Sequence, residues 1–127
     1  MRQYLVALVA TILLTSCNAE PGADGQICTL IGCADGLVVD VGTPPLGPWT
    51  IEATPAGQPA RTFACAAGSQ CSFVRFEGIM QTPITFKVTV GAQMRTEVLS
   101  PVTTTSRPNG PKCDPECRTQ RVTLSVP

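Results

Sequence analysis

Ile84-Thr85-Phe86-Lys87-Val88-Thr89-Val90 alternates apolar and polar side chains without a break. In an extended chain, successive side chains point to opposite faces. This stretch therefore puts Ile84, Phe86, Val88 and Val90 on one face, and Thr85, Lys87 and Thr89 on the other. A helix would scatter the same residues around its circumference. The stretch reads as a half-buried strand, and its neighbours follow the same rule. Gly91-Ala92-Gln93 is a tight connection, and Met94 to Val98 reads as the hairpin partner.

Upstream, Trp49-Thr50-Ile51-Glu52-Ala53-Thr54 repeats the alternation, between the breaker Thr43–Pro48 and the turn Pro55–Pro59. Ala60 to Ala66 forms a third strand, with Arg61, Phe63 and Cys65 sharing a face. Ala67–Gln70 turns the chain into Cys71–Phe76, and Gly36 to Val41 aligns Leu37, Val39 and Val41. Downstream, Thr103-Thr104-Thr105 is β-prone and suits an edge, Arg107 to Pro115 is a Pro/Gly-rich loop, and Arg121–Val126 alternates again. Seven or eight short strands with no helical period predict an all-β fold, a single small antiparallel β-sandwich of about seven strands. Aromatic residues are few (Trp49, Phe63, Phe73, Phe76 and Phe86 in these strands), so the core rests mainly on Val, Leu and Ile.

The N-terminus differs. Met1-Arg2-Gln3 carries one positive charge, Tyr4 to Leu14 is an apolar run of eleven residues, and Leu14-Thr15-Ser16-Cys17 closes it. A transmembrane helix needs roughly 20 apolar residues, so this run reads as a secretory signal rather than a span. The tetrapeptide resembles the lipobox of bacterial lipoproteins: a branched apolar residue, two small ones, then Cys. The resemblance implies diacylglyceryl on the Cys17 thiol, cleavage after Ser16 and acylation of the new amine. Asn18, rather than Asp, after Cys17 then favours the outer membrane of the bacterial cell envelope where there is one. Several acyl chains anchor stably where one holds only marginally. Residues 1–16 are thus the signal, Cys17 with 18–26 a polar tether, and 27–127 the domain.

Cysteine usage agrees with this division. Seven cysteines is an odd number, and an odd thiol in an exported protein calls for an explanation. With Cys17 given to lipid, Cys28, Cys33, Cys65, Cys71, Cys113 and Cys117 form an even set, and an oxidising compartment favours three disulfides. Cys65 and Cys71 flank a turn between two strands read as antiparallel neighbours, so their Cβ atoms come within bridging reach. For the other four, two arrangements stand. Cys28 with Cys33 and Cys113 with Cys117 would close small loops. Bonds between the two clusters would instead staple the start of the domain to its end. Such cross-links remove more unfolded-state entropy, roughly 4–5 kcal/mol per loop. Both clusters precede a strand, which suits first and last strands lying parallel side by side.

Cys-x4-Cys, then Gly-Leu-Val-Val, and later Pro108-Asn109-Gly110-Pro111-Lys112-Cys113-Asp114-Pro115-Glu116-Cys117 are similar to a set of small bacterial lipoproteins with no assigned activity. Gly47-Pro48-Trp49-Thr50-Ile51-Glu52-Ala53 resembles a strand of carboxypeptidase-regulatory-like (transthyretin-like) sandwiches, which bears on fold and not on function.

The chemistry legible in the residues is sparse. Nine basic and nine acidic side chains cancel, and no basic stripe marks a nucleic-acid site. Histidine is absent, which excludes His metal sites, Ser-His and Cys-His nucleophile pairs, and the commonest general base. Asp35 with Asp40, and Asp114 with Glu116, are the carboxylate pairs left for a small hydrolase, though turn residues explain them more simply. Cys28-x4-Cys33 and Cys113-x3-Cys117 read as disulfide cysteines rather than zinc ligands in an exported protein, so neither metal nor cofactor is expected. Trp49 reads as core. Arg107, Pro108, Asn109, Gly110, Pro111 and Lys112 form the candidate binding loop, on turn chemistry that presents a rigid projection. The expectation is a non-catalytic β-sandwich, lipid-anchored through Cys17, serving as a binding or structural component of the envelope. An inhibitor or accessory subunit that captures an envelope protein is the alternative.

Overall fold

A computed structural model describes residues 27–127. The signal run, Leu14–Cys17 and the tether lie outside the described residues. The described chain is all-β, with eight strands: β1 (Gly36–Asp40), β2 (Trp49–Pro55), β3 (Arg61–Cys65), β4 (Phe73–Glu77), β5 (Ile84–Val90), β6 (Gln93–Leu99), β7 (Thr103–Ser106) and β8 (Cys117–Thr123). They make two four-stranded sheets, ordered β4-β1-β8-β7 and β3-β2-β5-β6.

The second sheet follows from the alternation. β5 pairs antiparallel with β2 along its whole length and with β6 through the two-residue turn at Gly91 and Ala92. Ile84, Phe86 and Val88 are buried from β5, and Trp49, Ile51 and Ala53 from β2. On the opposite face Glu52 and Lys87 sit directly across from each other, with a 3.0 Å ion pair. In the first sheet Leu37, Val39, Val74, Phe76 and Val122 turn inward, and with Leu124 they join the same buried cluster.

The fold is not antiparallel throughout: β1 and β8 pair in parallel, Gly36 opposite Thr119 through Asp40 opposite Thr123, as expected of first and last strands when the two cysteine clusters bond to each other. Both strands leave the same disulfide-bonded end of the domain, which sends them the same way. Nor are β3 and β4 antiparallel neighbours. β3 pairs with β2 and β4 with β1, so the chain between them passes from one sheet to the other. Cys65–Cys71 bridges that passage, with Cα atoms 6.2 Å apart. At the other end of β3 the Arg61 guanidinium donates to the Glu77 carbonyl of β4, a second tie between the sheets.

The last strand also begins earlier than the alternation of Arg121–Val126 predicts. Cys117 to Gln120 carries no apolar period, and β1 and β7 on either side supply the hydrogen-bond partners that extend it. Gln120 lies buried there, its Nε2 donating to Met80 O at 3.1 Å and Thr103 Oγ1 at 3.2 Å. Tertiary pairing overrides the local pattern.

One glycine is fixed by space. A Cβ on Gly36 would meet the Phe76 carbonyl oxygen at 2.6 Å and Glu77 Cα at 3.1 Å. Both are backbone atoms of the paired strand and cannot swing aside. Gly36→Ala should force β1 away from β4, costing about 2 kcal/mol and lowering the unfolding midpoint by on the order of 10 °C in a thermal melt.

Candidate functional site

The six domain cysteines pair among themselves. Cys28–Cys113 and Cys33–Cys117 join the start of the domain to its end, with Cα separations of 5.7 and 5.9 Å. The pairing is in order, first with first and second with second. Two segments running parallel can bond in this way, whereas antiparallel ones would nest. The sequence separations of 85 and 84 lead into the offset of 83 between Asp35 and Arg118, so both segments advance in step into the parallel ladder.

The loop read as the binding surface closes this clasp. Asn109 is 5 % exposed. Its Oδ1 accepts from Thr29 Oγ1 at 2.8 Å and from the Ile31 amide at 2.7 Å. Its Nδ2 donates to the Ile31 carbonyl at 2.9 Å and the Asp114 carbonyl at 2.6 Å. Two acceptor sites and two donor hydrogens are the full capacity of a carboxamide, and all are used. Against Ile31 the side chain acts as a peptide group, pairing with both the N–H and the C=O of one residue. Gly110 follows at φ 123°, in the left-handed region that favours glycine. Its amide donates to Arg107 O at 3.1 Å, and its carbonyl accepts from Cys113 N at 3.0 Å. Pro108, Pro111 and Lys112 are on the surface.

Asn109→Asp replaces both donors with acceptors and sets a carboxylate against two carbonyls. The expected cost is about 3 kcal/mol, read as faster hydrogen exchange at the Ile31 amide while the three disulfides stay intact.

The carboxylates considered for catalysis are engaged in the same region. Arg107 Nη2 donates to Glu116 Oε2 at 3.0 Å, and its Nη1 lies 3.4 Å from Asp114 Oδ1 and 3.3 Å from Cys113 O. Asp40 Oδ1 accepts from the Gly42 amide at 2.8 Å, a turn cap at the end of β1. Asp35 Oδ1 accepts from the Arg118 amide at 2.7 Å, and Oδ2 from Arg118 Nε at 2.7 Å. The backbone bond, then the guanidinium bonds and charge, hold the Asp35 carboxyl below its ordinary 3.8 against a smaller opposing effect of burial. A carboxyl held low in the folded state stabilises above its unfolded value, and that contribution disappears as pH falls through the lowered folded value. Asp35→Asn should flatten the acid side of the stability curve, measured as denaturation midpoints from about pH 5 down to pH 2.

Trp49 lies in the core against Phe63, ring centroids 6.4 Å apart, and its Nε1 has no hydrogen-bond partner among the described residues. Thr103–Ser106 is the exposed edge strand β7. Among the described residues, no group of three or more His, Cys, Asp or Glu could hold a metal ion. No helix there is long and apolar enough to cross a membrane.

One feature escaped the sequence reading. At the far end of β1 from the clasp, Thr43, Pro44, Pro45 and Leu46 face Gly68, Ser69 and Gln70 across an open cleft of about 420 Å³. Leu46 is 97 % exposed on its rim. Each stretch reads as an ordinary turn, and only the passage of the chain between the sheets, fixed by Cys65–Cys71, brings them together. The apolar Leu46 among turn-formers is the one trace of it in the sequence.

Comparison with known proteins finds no matching family model, no matching curated protein and no matching solved structure.

Proposed function

We propose that this chain is a bacterial lipoprotein, cut before Cys17 and acylated there, whose domain works in the cell envelope by binding or as a structural component. The observation that carries the reading is the partition of the cysteines. Six of the seven are bonded to one another, which leaves Cys17, the cysteine of Leu14-Thr15-Ser16-Cys17, as the odd one. A buried cluster drawn from both sheets supports a β-sandwich of immunoglobulin-like or transthyretin-like kind. A non-catalytic role is supported by the absence of histidine and by the engagement of Asp35, Asp114 and Glu116 with arginines. Fractionation of cells carrying Cys17→Ser tests the anchor.

The reading in which the domain captures an envelope protein gains support from the Thr43–Leu46 cleft. It lies at the end of β1 opposite the clasp, so a domain tethered through residue 27 would turn it away from the membrane. An exposed Leu beside a disulfide-braced turn is a pre-organised apolar contact of the kind partner proteins use.

A further inference from the structure

Within the clasp, the segment from Ile27 to Ala34 carries no charged residue. Ile27, Leu30 and Ile31 are 77 %, 95 % and 55 % exposed. Single exposed apolar side chains are common, but three within five residues form a patch that water disfavours. The segment is also held in place. Cys28–Cys113 and Cys33–Cys117 bracket it, and Asn109 takes both backbone groups of Ile31 and the hydroxyl of Thr29. The Thr29 hydroxyl and both backbone groups of Ile31 are turned to the domain, and the side chains of Ile27, Leu30 and Ile31 are presented outward. Little conformational entropy remains to be lost when they are buried.

The length of chain before the domain says what covers them. Nine residues, 18–26, separate Cys17 from Ile27. Fully extended they span at most about 30 Å. A domain of this size is itself roughly 30 Å across. With Cys17 acylated, a tether no longer than the domain is wide keeps the end that carries Ile27 within about 30 Å of the bilayer. We infer that the Ile27–Ile31 loop is a membrane-docking surface, inserting Ile27, Leu30 and Ile31 into the interface beside the lipid anchor. The inference rests on the acylation of Cys17. Because the loop is uncharged, docking needs no anionic lipid. It fixes the orientation of the domain and points the Thr43–Leu46 cleft outward.

The test uses the full-length, processed protein in phosphatidylcholine vesicles whose acyl chains are brominated near the headgroup. Leu30→Trp and Leu46→Trp each add an indole at an almost fully exposed position, one at either end of β1, over the constant background of buried Trp49. The expected result is a blue-shifted, strongly quenched emission from Leu30→Trp and an unquenched one from Leu46→Trp, the same with or without anionic lipid. The N-terminal mass of the same sample reads the anchor independently. Acylated protein with equal quenching at both positions overturns the docking loop and leaves the anchor standing. So does a Leu30→Trp signal buried in a cross-linkable dimer but untouched by bromine, which would assign the patch to a second copy. Protein without acylation at Cys17 overturns both.

Discussion

Removing both clasp disulfides, with Cys28, Cys33, Cys113 and Cys117 all replaced by alanine, should lower the stability of the domain by about 7 kcal/mol. Removing either one alone should cost only about 3 kcal/mol. The asymmetry follows from topology. The bonds span 85 and 84 residues of sequence, and closing one such loop restrains the unfolded chain by about 4.5 kcal/mol. Once it is closed, the second bond has only the small ring through residues 28–33 and 113–117 left to close, which restrains it by about 3 kcal/mol. Either bond can take the first role, so each single loss is small and the joint loss is large. Domains of this size are stable by about 5–15 kcal/mol, so the fourfold variant should lose about half of its stability or more while each twofold variant stays folded. Urea unfolding of the three variants beside the parent measures the coupling. Strictly additive losses would show that the two bonds do not share one loop.

Cys17→Ser should have the other large effect, and on location rather than stability. The thiol is the nucleophile that takes diacylglyceryl in the lipoprotein reading, and a serine hydroxyl does not replace it. Each acyl CH₂ buried in the bilayer contributes about 0.8 kcal/mol, so losing the chains removes essentially all of the anchoring. Three apolar side chains in the clasp loop cannot substitute for it. The variant should accumulate as an unprocessed precursor or appear in the soluble fraction. Its domain, read by thermal melting, should be unchanged, because residue 17 precedes the clasp. A variant that is cut and retained on membranes like the parent would remove the basis of the proposal.

The strands were legible wherever one face is buried and the other wet. Trp49–Pro55 and Ile84–Val90 alternate for this reason, and local pattern sufficed to place them. It failed where the partner strand does the work. β8 begins in Cys117-Arg118-Thr119-Gln120, which has no apolar face, and is drawn into register by β1. The direction of β1 against β8 depends on which cysteines pair, a choice that spacing leaves open. The passage between sheets at Cys65–Cys71 looked like a hairpin because a short turn between two apolar strands reads the same in either case.

The candidate site was legible in outline. Turn chemistry marks Arg107–Lys112 as a projecting loop, and its central side chain, Asn109, instead faces inward. Whether an Asn projects or plugs depends on what lies opposite. Here Thr29 and Ile31 lie 80 and 78 residues away in sequence. The exposed face of that opposite segment is likewise invisible in a run without period.

The state of all seven cysteines can be read in one measurement, peptide mapping of unreduced protein extracted from membranes. Trypsin should release a peptide holding Cys65 and Cys71 together. It should also leave the N-terminal peptide joined to residues 113–118. Acid cleavage of Asp114–Pro115 and chymotrypsin at Leu30 then separate the clasp partners. Cys28 should be found with Cys113, Cys33 with Cys117 and Cys65 with Cys71, and Cys17 as the acylated first residue. A Cys28–Cys33 or Cys113–Cys117 bond, or Cys17 found in a disulfide, would contradict this assignment.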